Sequence, residues 1–586
     1  MNIALDIETE SLAINTKINF IGAYGEDDEL EYYLFFEMPK DLDKFKDFVK
    51  RAHEGGHKFV GANLKFDAVR LLYNYGIEIY IDHDVQFLVY LTSTVDQLKE
   101  NRGKWLGLKD AAQRILGVED WDVGLDKKTS NDLDTVKPYL SKDVKYTMQL
   151  FNRLKVELPH DRKITYKLMI LAANAYRDME IHGLPIDLTS VKRVKRELEE
   201  EEVQLREALS EYADINFNSS IQLQHLLYVE FGLPVYKTTK KGNPSTDGDT
   251  LQKLFNDHPI IEHLIKYKDN QKQLAFLKAW ESEAVRRDGY DYLHSSFNLT
   301  GTVTGRLSSS DVNLQQIPRD PRLKSLFRSM HAEWELVQLD YSQIELRFAA
   351  LVAGVSKMKE KYMNGEDLHT EMATIITGKN AMQITKVERT QAKAANFGYL
   401  YGMQAESFVE YARTTYGVTL TDEEAHKIRD DYFNAYPELL AYYDEVQYDL
   451  LSTGKLTSIM RREYEVSPHI LANKFLFSKI LKPAINFPIQ SAASDYVICS
   501  LIDLHANKEV MQDVRLCATI HDSIIIMVRQ NKLSERLRQI KYIMENSKLA
   551  RKIITVPIDI PIEVDIEIGP FGRGVSLEEY ERSFKK

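Results

Sequence analysis

Cysteine is nearly missing: Cys499 and Cys517 are the only two in 586 residues. That excludes a disulfide framework and a cysteine-based zinc site. Glycine (27) and proline (16) are also scarce. Long flexible linkers are therefore not expected, and the domains should pack closely. No uninterrupted apolar run is long enough to span a bilayer, so no membrane role is expected. No near-repeat or low-complexity tract is present. Met1 leads straight into "NIALDIET", which leaves no room for a signal or transit peptide. The expectation is a soluble, cytoplasmic protein. A basic excess is lacking as well: the formal net charge is −12. This excludes a protein basic over its whole surface. It does not exclude nucleic acid as a partner, because binding needs only local basic surface, and acids clustered around metals lower the total. With 44% hydrophobic and 28% charged residues, the composition is that of a globular protein, and the length suggests about four domains.

Acids at strand edges are what the sequence does have. "MNIALDIETESL" reads as a strand from Asn2 to Ile7, whose alternation puts Asp6 and Glu8 on one face. Two adjacent acids repel unless cations lie between them. "VGANLKFDAVRLL" adds Asp67 at the start of a helix. "VKPYLSKDVKYTMQLF" adds Tyr139 and Asp143, four apart and so on one helical face. Alone, each motif reads equally well as a solvated turn or surface helix.

From about residue 156 the pattern turns helical. "DMEIHGLPID" (178–187) carries a Gly-Leu-Pro break expected to be a hinge between helices. Residues 188–212 read as a long charged helix, most of whose charges are expected to form solvated pairs. "NFNSSIQLQHLL" offers an Asn/Ser start signal before apolar periodicity. In the basic loop "YKTTKKGNPSTDGDTL", Lys237, Lys240 and Lys241 either contact phosphates or keep the loop soluble.

Four stretches stand out in the carboxyl-terminal half. "FNLTGTVTGRLSSSDVNLQQIPRD" (297–320) carries Arg306. "LVQLDYSQIELR" (336–347) ends an apolar run in Asp340 and continues to Glu345. "RTQAKAANFGYLYG" (389–402) sets Arg389, Lys393, Phe397 and Tyr401 at steps of four. "CATIHDSIIIMV" (517–528) puts His521 and Asp522 at the bend of a strand–turn–strand. Steps of four keep one helical face, and the stripe would run roughly 18 Å. Its first two members are cationic and its last two aromatic, which suits a ligand with phosphates at one end and a base at the other. Asp340 and Asp522, each at the edge of an apolar run, would bind divalent ions if paired across adjacent strands.

The motifs around Asp6, Glu8, Asp67, Tyr139 and Asp143 resemble those of the DEDD exonucleases with a tyrosine. The four carboxyl-terminal stretches resemble the family A DNA polymerases, the class of bacterial DNA polymerase I. Together these cover nearly the whole chain. The resemblance implies an α/β ribonuclease-H-like exonuclease domain with a mixed sheet over residues 1–155. An α+β right-hand polymerase would follow over 156–586, with a thumb at about 187–295. A palm with an antiparallel sheet would occupy about 296–356 and 485–586, and helical fingers about 357–484. "NSSIQLQHLL…GLP…STDGDTL" resembles the thumb, without a large insertion.

The resemblance also implies roles. Asp6, Glu8, Asp67 and Asp143 would hold two divalent ions, Mg²⁺ or Mn²⁺, with Tyr139 orienting the attacking water. Asn63 and Leu12 match positions that grip or wedge a frayed 3′ end. Asp340, Asp522 and the backbone carbonyl of Tyr341 would hold two more ions. Arg389, His369 and Lys393 would neutralise phosphates, with Lys393 a proton donor to pyrophosphate. Phe397 and Tyr401 would line the nucleotide pocket, and Glu345 would lie under the sugar. Arg306, Gln343, Asn486 and Gln490 would hydrogen-bond along the minor groove. His521 would contact the primer end. The sequence departs from the family at Ser523, where Glu is common, and at Ser491, where Gly is common.

The implied activity is DNA-templated DNA synthesis with 3′→5′ proofreading, and the implied partners are primer-template DNA, dNTPs and single-stranded 3′ ends. A monomer is expected. A single-subunit RNA polymerase is the rival enzyme, and Glu345 with the exonuclease motifs argues against it. A polymerase-inactive nuclease or scaffold is the other rival, opposed by Asp340, Asp522, Arg389 and Lys393. The amino-terminal 5′ nuclease of some relatives is not found, which is compatible with a phage enzyme acting in the host cytoplasm.

Overall fold

A computed structural model describes residues 1–26, 31–121 and 132–583. The amino-terminal sheet has the order β3-β2-β1-β4-β5, with β1 (Asn2–Thr9), β2 (Ile18–Glu26), β3 (Glu31–Glu37), β4 (Lys58–Gly61) and β5 (His83–Asp84). β1 pairs antiparallel with β2 and parallel with β4, so the sheet is mixed, as expected. β1 is central and its Ile3–Leu5 stretch is buried. Asp6 and Glu8, two apart, flank buried Ile7 and are only partly buried. The helices α1 (Leu64–Tyr75) and α2 (Leu133–Glu157) both pack against β1.

The helix α3 (Arg162–His182) links this unit to the rest, touching α1 on one side and a strand of the second sheet on the other. The Gly-Leu-Pro break after it is pinned rather than loose: Leu184–Pro185 is a short strand paired with Tyr290–Leu293. The charged segment forms α4 (Leu188–Ser210), capped by Asp187 and packed on α5 (Ile260–Glu283). Leu209, Phe217, Leu223 and Leu264 make a small core of their own in this region. The main core runs continuously from the first sheet into the second.

The second sheet is antiparallel throughout: β6 (Trp334–Tyr341), β7 (Val514–Ile520), β8 (Ser523–Arg529), β9 (Val564–Ile568) and β10 (Val575–Ser576), in the order β7-β8-β6-β9-β10. β8 is almost wholly buried, which is why its sequence is a continuous apolar run. Four further helices bear on the sites: α6 (Ile344–Val352), α7 (Leu368–Thr377), α8 (Lys386–Tyr399) and the 33-residue α9 (Lys474–Ala506). Among the described residues no helix is long and apolar enough to cross a membrane.

Two candidate active sites

The amino-terminal site forms where β1 meets α2. Carboxylate oxygens of Asp6, Glu8 and Asp143 all lie within 4.8 Å of one another. Asp67, on α1, is fixed beside them: its Oδ1 accepts the Ile7 N–H at 3.0 Å, between the two strand acids. Asp67 is not part of the three-acid cluster itself. Burial pushes its pKa up to about 8. Tyr139 and Asp143 share a face of α2, as their spacing implies, and line the same cleft. Burial, and then the charge of Asp143, raises the Tyr139 phenol. Three residues here escaped sequence reading. Trp121 donates to Asp143 Oδ1 at 2.7 Å. Lys104 and Lys109 line the cleft, with Lys109 Nζ 4.7 Å from the Tyr139 ring centroid. Asn63 caps α1 in the left-handed region, its N–H donating to buried Asp84 at 3.1 Å. Leu12 is 64% exposed and lines a neighbouring cavity with Arg70 and Glu180, apart from the cleft of the acids.

The second site sits at the end of β6. Asp340 stands directly opposite Ser523 on β8 and opposite Asp565 on β9. Asp522 precedes Ser523 in the β7–β8 turn, where His521 takes φ 54°. That turn is held by Gln315, whose amide oxygen accepts the His521 N–H at 2.8 Å. The Ser523 hydroxyl donates to Asp340 Oδ1. Burial raises the Asp340 carboxyl, Ser523 opposes this, and the charges of Asp522 and Asp565 add to it. Burial likewise raises Asp522, opposed by Arg306. Asp522 and Asp565 thus lie near enough to Asp340 for their charges to act on it, and among the described residues none of the three forms an ion pair with a lysine or arginine. Asp565 was missed, although the alternation in "VDIEI" marks it as strand-borne.

Beside these acids, Glu345 is 8% exposed and accepts from both the Arg306 guanidinium and the Tyr401 hydroxyl. Gln490 hydrogen-bonds Tyr401 from α9. Asn486, also on α9, has a buried Oδ1 with no hydrogen-bond partner among the described residues. α8 is narrower than the sequence spacing suggests. It ends at Tyr399, and Tyr401 lies in the turn beyond, before Gly402 at φ 67°. The Tyr443 hydroxyl donates to the carbonyls of Tyr399 and Leu400 at 2.7 and 2.8 Å, satisfying groups that a continuing helix would have bonded.

Arg389 and Lys393 are exposed on α8. Arg389 makes a two-pronged contact with Asp367, Nε to Oδ2 at 2.8 Å and Nη2 to Oδ1 at 3.1 Å. Gln343 donates to the same carboxylate at 2.8 Å and accepts from Tyr362. Gln343 is therefore engaged towards α7 in this conformation. Burial works against ionised Asp367, but the hydrogen bonds from Arg389 and Thr370 outweigh it and hold its carboxyl low. His369 is buried against Phe397, ring centroids 5.7 Å apart, and contacts the Asn396 amide at 2.9 Å. Burial pushes its pKa down to about 4, so the imidazole is neutral near pH 7. Tyr341 is anchored from its side chain, whose hydroxyl donates to Ser500 at 2.6 Å, leaving the backbone at the strand end.

Residues 188–571 match the family model for DNA polymerase family A, and residues 1–159 match that for a 3′-5′ exonuclease. The chain belongs to DNA polymerase family A. It is 31% identical over 398 residues to the thermostable DNA polymerase I of Thermus filiformis, covering 67% of this chain and 46% of that protein. It is 28% identical over 592 residues to DNA polymerase I of Aquifex aeolicus (strain VF5), covering 96% of this chain and 94% of the relative. The chain thus spans just under half the length of the Thermus relative and nearly all of the Aquifex one. The fold is shared with the POL domain of Pol1 from M. smegmatis, solved in complex with DNA primer-template and dNTP. The TM-score is 0.79 at 23% identity, over 97% of this chain and 95% of that one.

The first sheet lies within the stretch that matches the 3′-5′ exonuclease model, and the antiparallel sheet, apart from β10, within that matching family A. α4, α5, α7 and α8 lie in the family A stretch as well. Asp367 and Asn396, missed in the sequence, set the posture of Arg389 and His369. The "EDLHT" stretch did carry a signal for Asp367, since Asp two residues before a helical His reads as an N-cap; its side chain accepts the Thr370 N–H at 2.9 Å.

Proposed function

We propose that this chain is a DNA-templated DNA polymerase that extends a primer 3′ end with dNTPs and proofreads with a 3′→5′ exonuclease. The observation that carries the reading is the juxtaposition of Asp340, Asp522 and Asp565 at one end of the palm sheet. Membership of family A supports it.

Divalent metal dependence is general to both families, and the residues here fit it. The donors are carboxylates, burial raises those of Asp67, Asp340 and Asp522, and Asp6, Glu8 and Asp143 lie within reach of one ion. Oxygen donors of this kind suit Mg²⁺ or Mn²⁺. Asp340, Asp522 and the Tyr341 carbonyl would hold two ions in the palm, and Asp6, Glu8, Asp67 and Asp143 two in the exonuclease. Bound cations supply activation of the attacking oxygen and stabilisation of the departing one.

The chain's own residues do the rest. Lys393 and Arg389 meet the triphosphate as cations, Arg389 after leaving Asp367, and Lys393 donates a proton to the departing pyrophosphate. His369 donates a hydrogen bond as a neutral imidazole. Glu345, fixed by Arg306 and Tyr401, fills the space a 2′-OH would need. Phe397 lies at the sugar and Tyr401 at the template base. Arg306, Gln343, Asn486 and Gln490 read the minor groove, and His521 meets the primer end. In the other site Tyr139 orients the attacking water, while Leu12 and Asn63 receive the frayed strand.

Primer extension tests this directly. Extension with dNTPs and far less with rNTPs is expected. Preference for rNTPs would show an RNA polymerase, and no extension by a folded protein would show a polymerase-inactive chain.

A further inference from the structure

The loop that carries Arg306 is held from outside the palm. Tyr90 lies on the Val85–Leu91 helix of the exonuclease domain and is 6% exposed. Its hydroxyl donates to the Thr302 carbonyl at 2.8 Å. The Thr302 hydroxyl in turn donates to the carbonyl of Arg306 at 2.7 Å. From below, Ser494 donates to the Gly305 carbonyl at 3.1 Å. Arg462 fills the space under Gly305 so closely that a Cβ there would lie 2.4 Å from its Nε, and Gly305 has φ +79°. Only glycine permits both that conformation and that approach.

Arg462 is itself fixed. It makes a two-pronged pair with Asp495, at 3.0 and 2.7 Å, with both side chains buried. Burial opposes its charge, yet Asp495 first, and then Tyr90, keep the guanidinium's pKa above its ordinary value. The hairpin bearing Arg462 is bolted to the exonuclease domain nearby. Ser467 donates to Asp96 at 3.0 and 2.6 Å, and Arg162 donates to Glu463 at 2.6 Å and to the Leu91 carbonyl.

We propose that Tyr90 is a positioning residue for the polymerase site: through Thr302 it sets the height of Arg306 against Glu345, so the exonuclease domain is a structural part of the synthetic centre. This rests on the proposed function, in which Arg306 contacts the primer-template. Tyr90 takes no part in hydrolysis.

The test is single-nucleotide incorporation by the full chain. Y90F keeps the ring and removes one hydroxyl. It should lower kcat/KM for a dNTP by about threefold to tenfold, the reach of one modest hydrogen bond. Degradation of single-stranded DNA by the same protein should stay within twofold of wild type. T302V, which cuts the same path from the palm side, should show the same split. In an R306A background, Y90F should cause no further loss, because residues acting in series do not add.

Four results would overturn the proposal: full incorporation by Y90F, a Y90F loss that multiplies undiminished with that of R306A, an R306A chain as active as wild type, or an equal loss of both activities. A wild-type chain that extends no primer at all fails the proposed function instead, and takes this inference with it.

Discussion

Glu345 accepts from Arg306 and Tyr401 at once, so its carboxylate is both a wall and a brace. E345A removes the wall and frees two side chains. We expect the dNTP-to-rNTP ratio of kcat/KM to narrow by about tenfold, and dNTP use to slow by a similar factor, about 1.4 kcal/mol each. An unchanged ratio would end the steric assignment. Phe397 offers no hydrogen bond and sits against neutral His369. A dideoxynucleotide, lacking the 3′-OH that would help order the triphosphate, should therefore be a poor substrate. F397Y places a hydroxyl near that position. It should raise ddNTP incorporation at least about tenfold relative to dNTP, measured as kcat/KM in an exonuclease-inactive background. Equal use of both nucleotides by wild type would show that this ring is not beside the sugar.

Between elements, the buried Arg462–Asp495 pair joins the hairpin at residues 455–465 to α9, with one side chain 2% and the other 0% exposed. A buried pair contributes little net stability against apolar substitutes, but breaking it strands a charge. D495A should cost about 3–5 kcal/mol in denaturant unfolding, with R462M/D495L costing less than D495A alone. A D495A chain as stable as wild type would mean that water reaches this junction. The ending of α8 at Tyr399 is a related effect at this scale. Steps of four extend the stripe on paper, whereas the Tyr443 hydroxyl holds the helix end at Tyr399 and the chain turns through Tyr401 and Gly402, with Tyr401 meeting Glu345.

Two carboxylate centres share one continuous core, and each is built on its own sheet. Their chemistry should separate. D522A should abolish extension and leave degradation of single-stranded DNA intact; D6A/E8A should do the reverse. Losses of at least about a thousandfold are expected for the affected activity, a scale of roughly 4 kcal/mol. If either variant lost both activities while remaining folded, the two-centre reading would fall.

Local chemistry was legible in the sequence. Asp6 and Glu8 share a strand face because side chains alternate, Tyr139 and Asp143 share a helix face because four residues make slightly more than one turn, and Asp522 sits at a bend between apolar runs. These follow from backbone geometry and need no knowledge of neighbours. Register and cross-domain contact lay beyond such reading. Asp565 faces Asp340 only because β9 pairs with β6 at that offset, with over 200 residues between them. Ser523, standing where relatives commonly have Glu, proves to be a donor to Asp340. Trp121, Asp367 and Tyr90 act on residues distant in sequence, through hydrogen bonds that depend on how helices and sheets dock. Docking is decided by the summed burial of many side chains, and no single motif records that sum.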